Sequence, residues 1–394
     1  MMTNAPRDYD WGSTTLIADL EGRAPSGRPE AEVWFGDHAG CPAHVADGRS
    51  LGEWLAAEGV AAGAPPRLPY LMKLLAAASS LSIQAHPSRA QAIAAFARED
   101  AAGIPRDAPD RTYRDENHKP ELIVAVSETF TALAGLRDLD DTRRLLALLG
   151  EGGRVLADRL SSADAAAAVR DTIQWLLSGD SGDVDPAAVI AQIVAAAAEA
   201  ESPEFAGELD LIRRLAVDFP GDRGIGVALL MNLVVLRRGE GLFVPAGVLH
   251  AYQAGLGVEI MAASDNVLRG GLTPKHVDVG QLVSVLDPTP GPVPVLRPGH
   301  QDGVARFAPD VPDFALSHIF VEAGETRDID LDGVAIVLAT VGAVSAGGGL
   351  SGAVELSPGD AVLITPDEGR VRISGAGELF IAQPGAASAT VSAS

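Results

Sequence analysis

Cysteine is almost absent, with one residue, Cys41, in 394. A lone thiol excludes an intramolecular disulfide, a cysteine-based zinc finger and an iron–sulfur site, and it fits a reducing compartment. Aromatic residues make up only 5% of the chain. No run of apolar residues approaches the roughly 18 of a membrane span, and the start, Met1-Met2-Thr3-Asn4-Ala5-Pro6, lacks the apolar core of a signal peptide. The expected location is therefore the cytoplasm. Basic residues are also short, with 30 Lys and Arg against 53 Asp and Glu and a formal charge of −23. That balance disfavours a phosphate backbone or an anionic membrane as partner, since both need a basic footprint. An anionic small molecule would have to be held by a local cation cluster working against the global field. What remains, 47% hydrophobic and 21% charged, is ordinary for a globular chain long enough for two or three domains.

Along the chain, short strand-like runs alternate with turn residues up to about Leu136. A helical piece interrupts them at Ser88 to Asp100, with Ser88 as N-cap and Gln91 at the capping-box position. Between Asp138 and Phe219 the texture changes to Ala- and Leu-rich helical spacing. The expected helices are Asp141 to Leu149, Ser162 to Leu177, Asp185-Pro186 to Glu199 and Pro203 to Val217, with Asp185 capping and Pro186 in the first turn. After Gly221 the strand texture returns. Gly239-Glu240-Gly241-Leu242-Phe243-Val244-Pro245-Ala246-Gly247 resembles Gly359-Asp360-Ala361-Val362-Leu363-Ile364-Thr365-Pro366-Asp367, which reads as a duplicated β-barrel module. Turns every 8 to 12 residues suggest a sandwich or jelly roll at the C-terminus. The expected division is 1–136 and 221–295 as two parts of one barrel, 137–220 as a helical insertion, 296–384 as a second jelly roll and 385–394 as a frayed tail.

The polar residues that break these apolar strands are the candidate site. In Leu81-Ser82-Ile83-Gln84-Ala85-His86-Pro87, Ser82, Gln84 and His86 share one face of a strand. In Asp115-Glu116-Asn117-His118-Lys119-Pro120-Glu121, a polar cluster feeds a strand that opens on Glu121. His250 and Tyr252 share a face after the Pro245–Gly247 turn, and Glu259, Arg269 and Lys275 follow. Two imidazoles, a carboxylate and an amide, from His86, His250, Glu121 and Gln84, form a sensible set for a borderline divalent cation such as zinc. Weak donors with room for water or substrate mark a catalytic type of site. Taken alone, His86 is more often a structural histidine, and Glu121 a strand-end partner of Lys119.

Three of these stretches together, Ser82-Ile83-Gln84-Ala85-His86-Pro87, Asn117-His118-Lys119-Pro120-Glu121 and Ala262-Ala263-Ser264-Asp265-Asn266-Val267-Leu268-Arg269 through Thr273-Pro274-Lys275, closely resemble type I mannose-6-phosphate isomerases. The resemblance extends to Tyr9-Asp10-Trp11-Gly12, to Glu32-Val33-Trp34-Phe35-Gly36, to the run around Lys73 and to the helical insert. It spans nearly the whole chain in order, which makes chance agreement improbable. It implies a mainly β zinc enzyme of two cupin-like jelly rolls with an inserted α-helical domain, one Zn2+ per chain on Gln84, His86, Glu121 and His250, and action as a monomer on a sugar phosphate. It also implies interconversion of mannose 6-phosphate and fructose 6-phosphate in carbohydrate metabolism, toward mannose donors or glycolysis. An aldose–ketose isomerase must remove a proton next to a carbonyl and stabilise an enediol(ate). Arg269 and Lys119 are candidates for stabilising negative charge, Glu259 for carrying the proton and His118 for assisting ring opening. Arg269, Lys275, Lys73 and Ser82 are candidates for the phosphate pocket, with Tyr252 and Trp11 bordering it. One departure from the family's pattern is His276, where an aromatic or apolar residue is usual; it bears on the pocket rim and on no ligand.

Two other functions compete. A cupin-type oxygenase holding iron(II) on two histidines and a carboxylate shares the scaffold, but the amide ligand and the cation set speak against it. A non-catalytic sugar-phosphate-binding cupin predicts eroded catalytic positions, and those are intact here.

Overall fold

Runs rich in Val, Ile, Leu and Ala pair into two large sheets in the computed structural model, which describes residues 1–179, 184–293 and 295–386. The ten-stranded sheet is organised on one long strand, His250–Ala262, which pairs antiparallel with Tyr70–Ala77, Gln84–Ala85, Glu121–Ala125 and Thr129–Leu136. The nine-stranded sheet is built from the C-terminal part of the chain. It also takes in the first residues, because Met2 pairs with both Ala361 and Val45. The architecture is mainly β with several helices, as the strand and helix textures of the sequence suggest.

Period-2 alternation explains how the strands can be apolar throughout and still carry a site. Every residue of Tyr70–Ala77 is buried. One face, with Met72, Leu74 and Ala76, packs between the two sheets against Leu316, Ile336, Leu338 and Phe380. The other, with Leu75 and Ala77, meets Ile123, Ala125, Leu242, Val244 and Tyr252 inside the first barrel. A sheet covered on both faces needs no polar side, so its strands read as near-continuous apolar runs. Lys73, Glu121 and Glu259 lie on the inner rows, where alternation alone would place another apolar side chain. The corresponding apolar cluster in the second sheet runs from Ile319 and Val337 to Leu379 and Ile381.

The duplicated module appears as a repeated turn. Gly239 and Gly359 both have positive φ, and the acid that follows each, Glu240 or Asp360, accepts a hydrogen bond from the backbone N–H three residues earlier, of Arg237 or Ser357. The strands that follow, Gly241–Val244 and Ala361–Ile364, have the same sequence of buried and half-buried positions.

The helices leave the first barrel after Thr129–Leu136 and return at Met231–Arg237, two strands that pair with each other, so the helical stretch is an excursion from one hairpin. Ser88 and Gln91 form the expected capping box, and Asp185 caps Pro186–Glu199 with the proline in its first turn. Two expectations are corrected. The first helix of the excursion is Leu139–Leu146, capped by Asp138, and a further helix, Gly150–Arg159, follows it. Its Gly150-Glu151-Gly152-Gly153 opening reads as a helix breaker, yet the glycines serve close packing: a Cβ on Gly152 would lie 2.7 Å from the Val189 carbonyl oxygen, and one on Gly153 only 2.0 Å from that of Leu146. Among the described residues no helix is long and apolar enough to cross a membrane. The expected frayed tail, 385–394, falls outside the described residues from 387 onward.

Candidate metal centre and substrate cavity

Strand register builds the centre. His250 stands directly opposite Gln84, and Gln84 in turn opposite Arg269, so three candidate side chains converge through two backbone pairings. Ile83 and Ala85, on the other face of that strand, pack into the core that continues under the helices, which turns Ser82 and Gln84 toward a cavity of about 560 Å³. Glu121 enters at the first position of its strand, opposite Met261 and Val244. One nitrogen each from His86 and His250 and one oxygen from Glu121 lie within 4.8 Å of one another, all three residues buried. Gln84 Nε2 is 3.2 Å from His250 Nε2, so its amide completes the group.

Hydrogen bonding decides what this group can hold. His86 Nδ1 donates to the Asn266 carbonyl at 2.7 Å and His250 Nδ1 to that of Val248 at 3.2 Å. In the neutral ring this leaves the lone pair on Nε2, fixed in direction by the bond behind it. These Nε2 atoms face the two oxygens of Glu121, at 3.2 Å for His86 and 3.0 Å for His250. Lone pairs aimed at a carboxylate in a buried pocket repel unless a cation lies between them, and His86 Nε2 has no well-formed hydrogen bond of its own. Burial pushes the His86 imidazole down to about 4, keeping it neutral as a ligand must be. Burial alone would raise the Glu121 carboxyl, but Lys119, with Nζ 2.9 Å away, is the largest of the influences that hold it well below the usual carboxylate range. Two imidazoles, one carboxylate and a side-chain amide fit a borderline divalent cation such as zinc.

Deeper along the barrel, Lys73 is clasped by two buried carboxylates, Glu259 at 2.9 Å and Glu32 at 3.3 Å, and its ammonium lies 5.1 Å from the centre of the Trp34 ring. Burial would lower the Lys73 ammonium, but Glu259 and Glu32 outweigh it and raise it further. Glu259 is raised by burial, with Lys73 pulling the other way and Glu121 and Glu32 pushing it up. The Tyr252 phenol, fully buried beside this group, is raised by burial and by Glu259. Arg269 and Lys275 line the same cavity, and among the described residues neither makes a salt bridge. Burial lowers both, and Arg114 lowers them further, with Arg269 adding to the effect on Lys275. Cations that destabilise one another in a protein of net charge −23 mark a place for an anion.

Of the candidate side chains, Gln84, Glu121, Lys119, Glu259, Lys73, Ser82, Lys275, Arg269, Tyr252 and Trp11 line this cavity, and His86 and His250 close the centre at its floor. Trp11 stacks on Tyr9, with ring centres 5.6 Å apart. Lys73 is no free cation for a phosphate, since its charge is taken by Glu259 and Glu32. His118 lines no part of the cavity: its Nε2 is 2.8 Å from Asp313, a buried carboxylate from the C-terminal part of the chain. His276 is exposed and borders a small side pocket with Arg269.

Sequence reasoning missed Glu32, whose other oxygen accepts from the Trp34 indole at 2.9 Å, and Asn266, whose carbonyl orients His86. Both lie inside stretches that carry the resemblance, so the signal was present without a role attached. His38 pairs with Asp265 at 2.9 Å in a second, wider cleft of about 800 Å³ that shares Arg269 and Lys275 with the first.

Residues 1–139 match the family described as phosphomannose isomerase type I, catalytic domain. The mannose-6-phosphate isomerase of Escherichia coli K12 is 33% identical over 392 residues, covering 96% of this chain and 97% of the relative, and that of Bos taurus is 32% identical with 86% of each covered. Among solved structures, mannose 6-phosphate isomerase from Salmonella typhimurium bound to fructose 6-phosphate and zinc superposes with a TM-score of 0.85 at 31% identity, covering 98% of this chain and 99% of that one. The apo form of the Salmonella enzyme gives a TM-score of 0.86 at 30% identity, covering 98% of each chain. With agreement of this extent running nearly end to end in both sequence and structure, the chain belongs to the type I mannose-6-phosphate isomerase family.

Proposed function

We propose that this chain interconverts mannose 6-phosphate and fructose 6-phosphate, with zinc on Gln84, His86, Glu121 and His250. The observation that carries the reading is the convergence of two imidazoles and a carboxylate beside a cavity that Arg269 and Lys275 also line. Family membership and the sugar phosphate and zinc bound by the Salmonella relative support it.

When bound, zinc supplies Lewis acidity that polarises sugar oxygens. The rest of the work falls to the chain. Arg269 and Lys275, with the Ser82 hydroxyl beside them, hold the phosphate and thereby set which sugar carbons reach the floor. Glu259 moves the proton between C1 and C2. Its carboxyl, raised by burial against the pull of Lys73, is a better base than an ordinary glutamate. Lys119 stands beside the reacting end and stabilises negative charge as the enediolate forms. Tyr252, Trp11 and Phe219 wall off water. All of these groups come from one chain, which supports action as a monomer, and the single cysteine supports a cytoplasmic setting.

The test is a coupled assay with mannose 6-phosphate before and after chelation. Activity should vanish with the metal and return with about one equivalent of zinc per chain. Full turnover by metal-free protein would refute the reading.

A further inference from the structure

We propose that Asp222, in the helical excursion, is a positioning residue that pins the loop carrying Lys275, and so sets the affinity for the substrate's phosphate. The inference rests on the phosphate assignment to Arg269 and Lys275 made above.

The loop 270–275 leaves the strand Leu268–Arg269 and is tied at its near end to the strand bearing the ligands. Gly270 N–H donates to the Ile83 carbonyl at 2.7 Å, and Ile83 N–H donates to that of Gly271 at 3.0 Å. From there to Lys275 the chain follows an uncommon path. Leu272 has φ of 55° although it is a bulky residue, and it is buried to 2% exposure. A large side chain is seldom found in that region unless the surroundings impose it. The surroundings here are the turn between two helices, Ala206–Asp218 and Gly224–Leu229. Asp222 spreads its carboxylate across both segments: Oδ1 accepts from Gly224 N–H at 2.7 Å and Oδ2 from Thr273 N–H at 3.2 Å.

The two backbones touch at this point. A Cβ on Gly271 would lie 2.4 Å from Gly224 Cα, and Gly271 has φ of 112°, so only glycine allows the crossing. Thr273 Oγ1 then accepts from Lys275 N–H at 3.1 Å, which carries the constraint from the pinned residue to the cation. Asp222 lines neither cavity, whereas Asp218 and Phe219 just before it, and Leu272, Thr273 and Lys275 on the loop, line the substrate cavity. The excursion is thereby part of the substrate site through its backbone contacts, and the carboxylate acts through two hydrogen bonds on the lysine that faces the anion.

The test compares wild type with Asp222→Asn, which has the same shape but only one acceptor oxygen for two N–H groups. Kinetics with mannose 6-phosphate, inhibition by inorganic phosphate and zinc content are measured on the full-length holoenzyme. Loss of one charge-assisted hydrogen bond at the pin predicts KM and the phosphate inhibition constant rising together by roughly tenfold. Over the same series kcat stays within about threefold and zinc is retained. Unchanged KM and inhibition constant would overturn the proposal, as would a parallel loss of kcat and zinc, which marks a merely structural residue. If wild type is itself neither inhibited by phosphate nor active on the sugar, the phosphate assignment has failed instead. Hydrogen exchange of the 270–275 segment in the unaltered protein gives a reading independent of whether the variant folds: protection of the Thr273 N–H is expected, and free exchange overturns the pin.

Discussion

Replacing Lys73 by methionine removes the only cation held between Glu259 and Glu32 while keeping the length and apolar stem of the side chain. The attraction lost can be worked from the geometry. A unit charge pair at 2.9 Å, with an effective dielectric of about 20, interacts by about 6 kcal/mol. That energy corresponds to roughly four pH units in the ionisation of Glu259. With both carboxylates buried, Glu259 at 2% and Glu32 at 5% exposure, the cheapest response is for Glu259 to take up a proton. A protonated Glu259 is no base, so kcat/KM at pH 7 should fall by about 10²- to 10⁴-fold. The acid limb of the pH–rate profile should move upward, with activity partly recovering as pH rises. Lys73→Arg, which keeps the charge, should lose much less.

Stability gives the second readout. The folded-state pKa of Glu259 in the variant lies above its unfolded value of about 4.3, so stability falls with pH until that folded pKa is passed. Urea unfolding should therefore show a larger deficit against wild type at pH 8 than at pH 5.5, toward the roughly 3–5 kcal/mol of a broken buried pair. Zinc content should not change, because none of the four ligands is touched. An acid limb that stays where it is in wild type, or a deficit independent of pH, would refute the coupling between Lys73 and the base.

Arg269→Ala should depress turnover by orders of magnitude while zinc stays bound, and a fall in zinc occupancy instead would assign the residue to the scaffold. Tyr70→Phe tests the seam between the sheets. The Tyr70 hydroxyl is shared between the carbonyls of Val334 at 2.9 Å and Ala382 at 3.1 Å, so its loss should cost about 1–2 kcal/mol in urea unfolding with activity unchanged. For Glu378, burial raises the carboxyl, but His318 and Arg238 outweigh it and hold it below its ordinary value. A depressed carboxyl stabilises the fold above the unfolded pKa of about 4.3 and ceases to as pH falls through the folded pKa. Glu378→Gln should consequently be less stable than wild type at pH 7 and converge with it near pH 3 by the same unfolding assay.

Local patterns carried most of the architecture. Alternation marked the strands, capping residues marked Arg89–Ala101 and Pro186–Glu199, and the repeated Gly-acid pattern marked the like turns before Gly241–Val244 and Ala361–Ile364. These signals are legible because their physics acts within a few residues. The helix Gly150–Arg159 was hidden because glycine has a low intrinsic helix propensity, while the contacts that favour it, against Val189 and Leu146, are tertiary. At the site the same division holds. Residue chemistry in quoted motifs was enough to nominate Gln84, His86, Glu121 and His250, because metal donors are recognisable by type wherever the chain places them.

The partners of the remaining charges were decided by strand register and barrel closure alone. Lys73 is a candidate phosphate ligand as a letter in the chain, and only the pairing of Tyr70–Ala77 between Glu32–Phe35 and His250–Ala262 sets Trp34 and Glu259 opposite it and makes it the counter-ion of a buried carboxylate. His118 sits three residues from a ligand, yet its ring turns to Asp313, 195 residues on, because the second sheet packs behind it. Sequence by itself determined which chemistry this protein can perform. Tertiary structure decided which charge meets which, since electrostatic pairing depends on distances of a few ångströms between segments that are far apart along the chain.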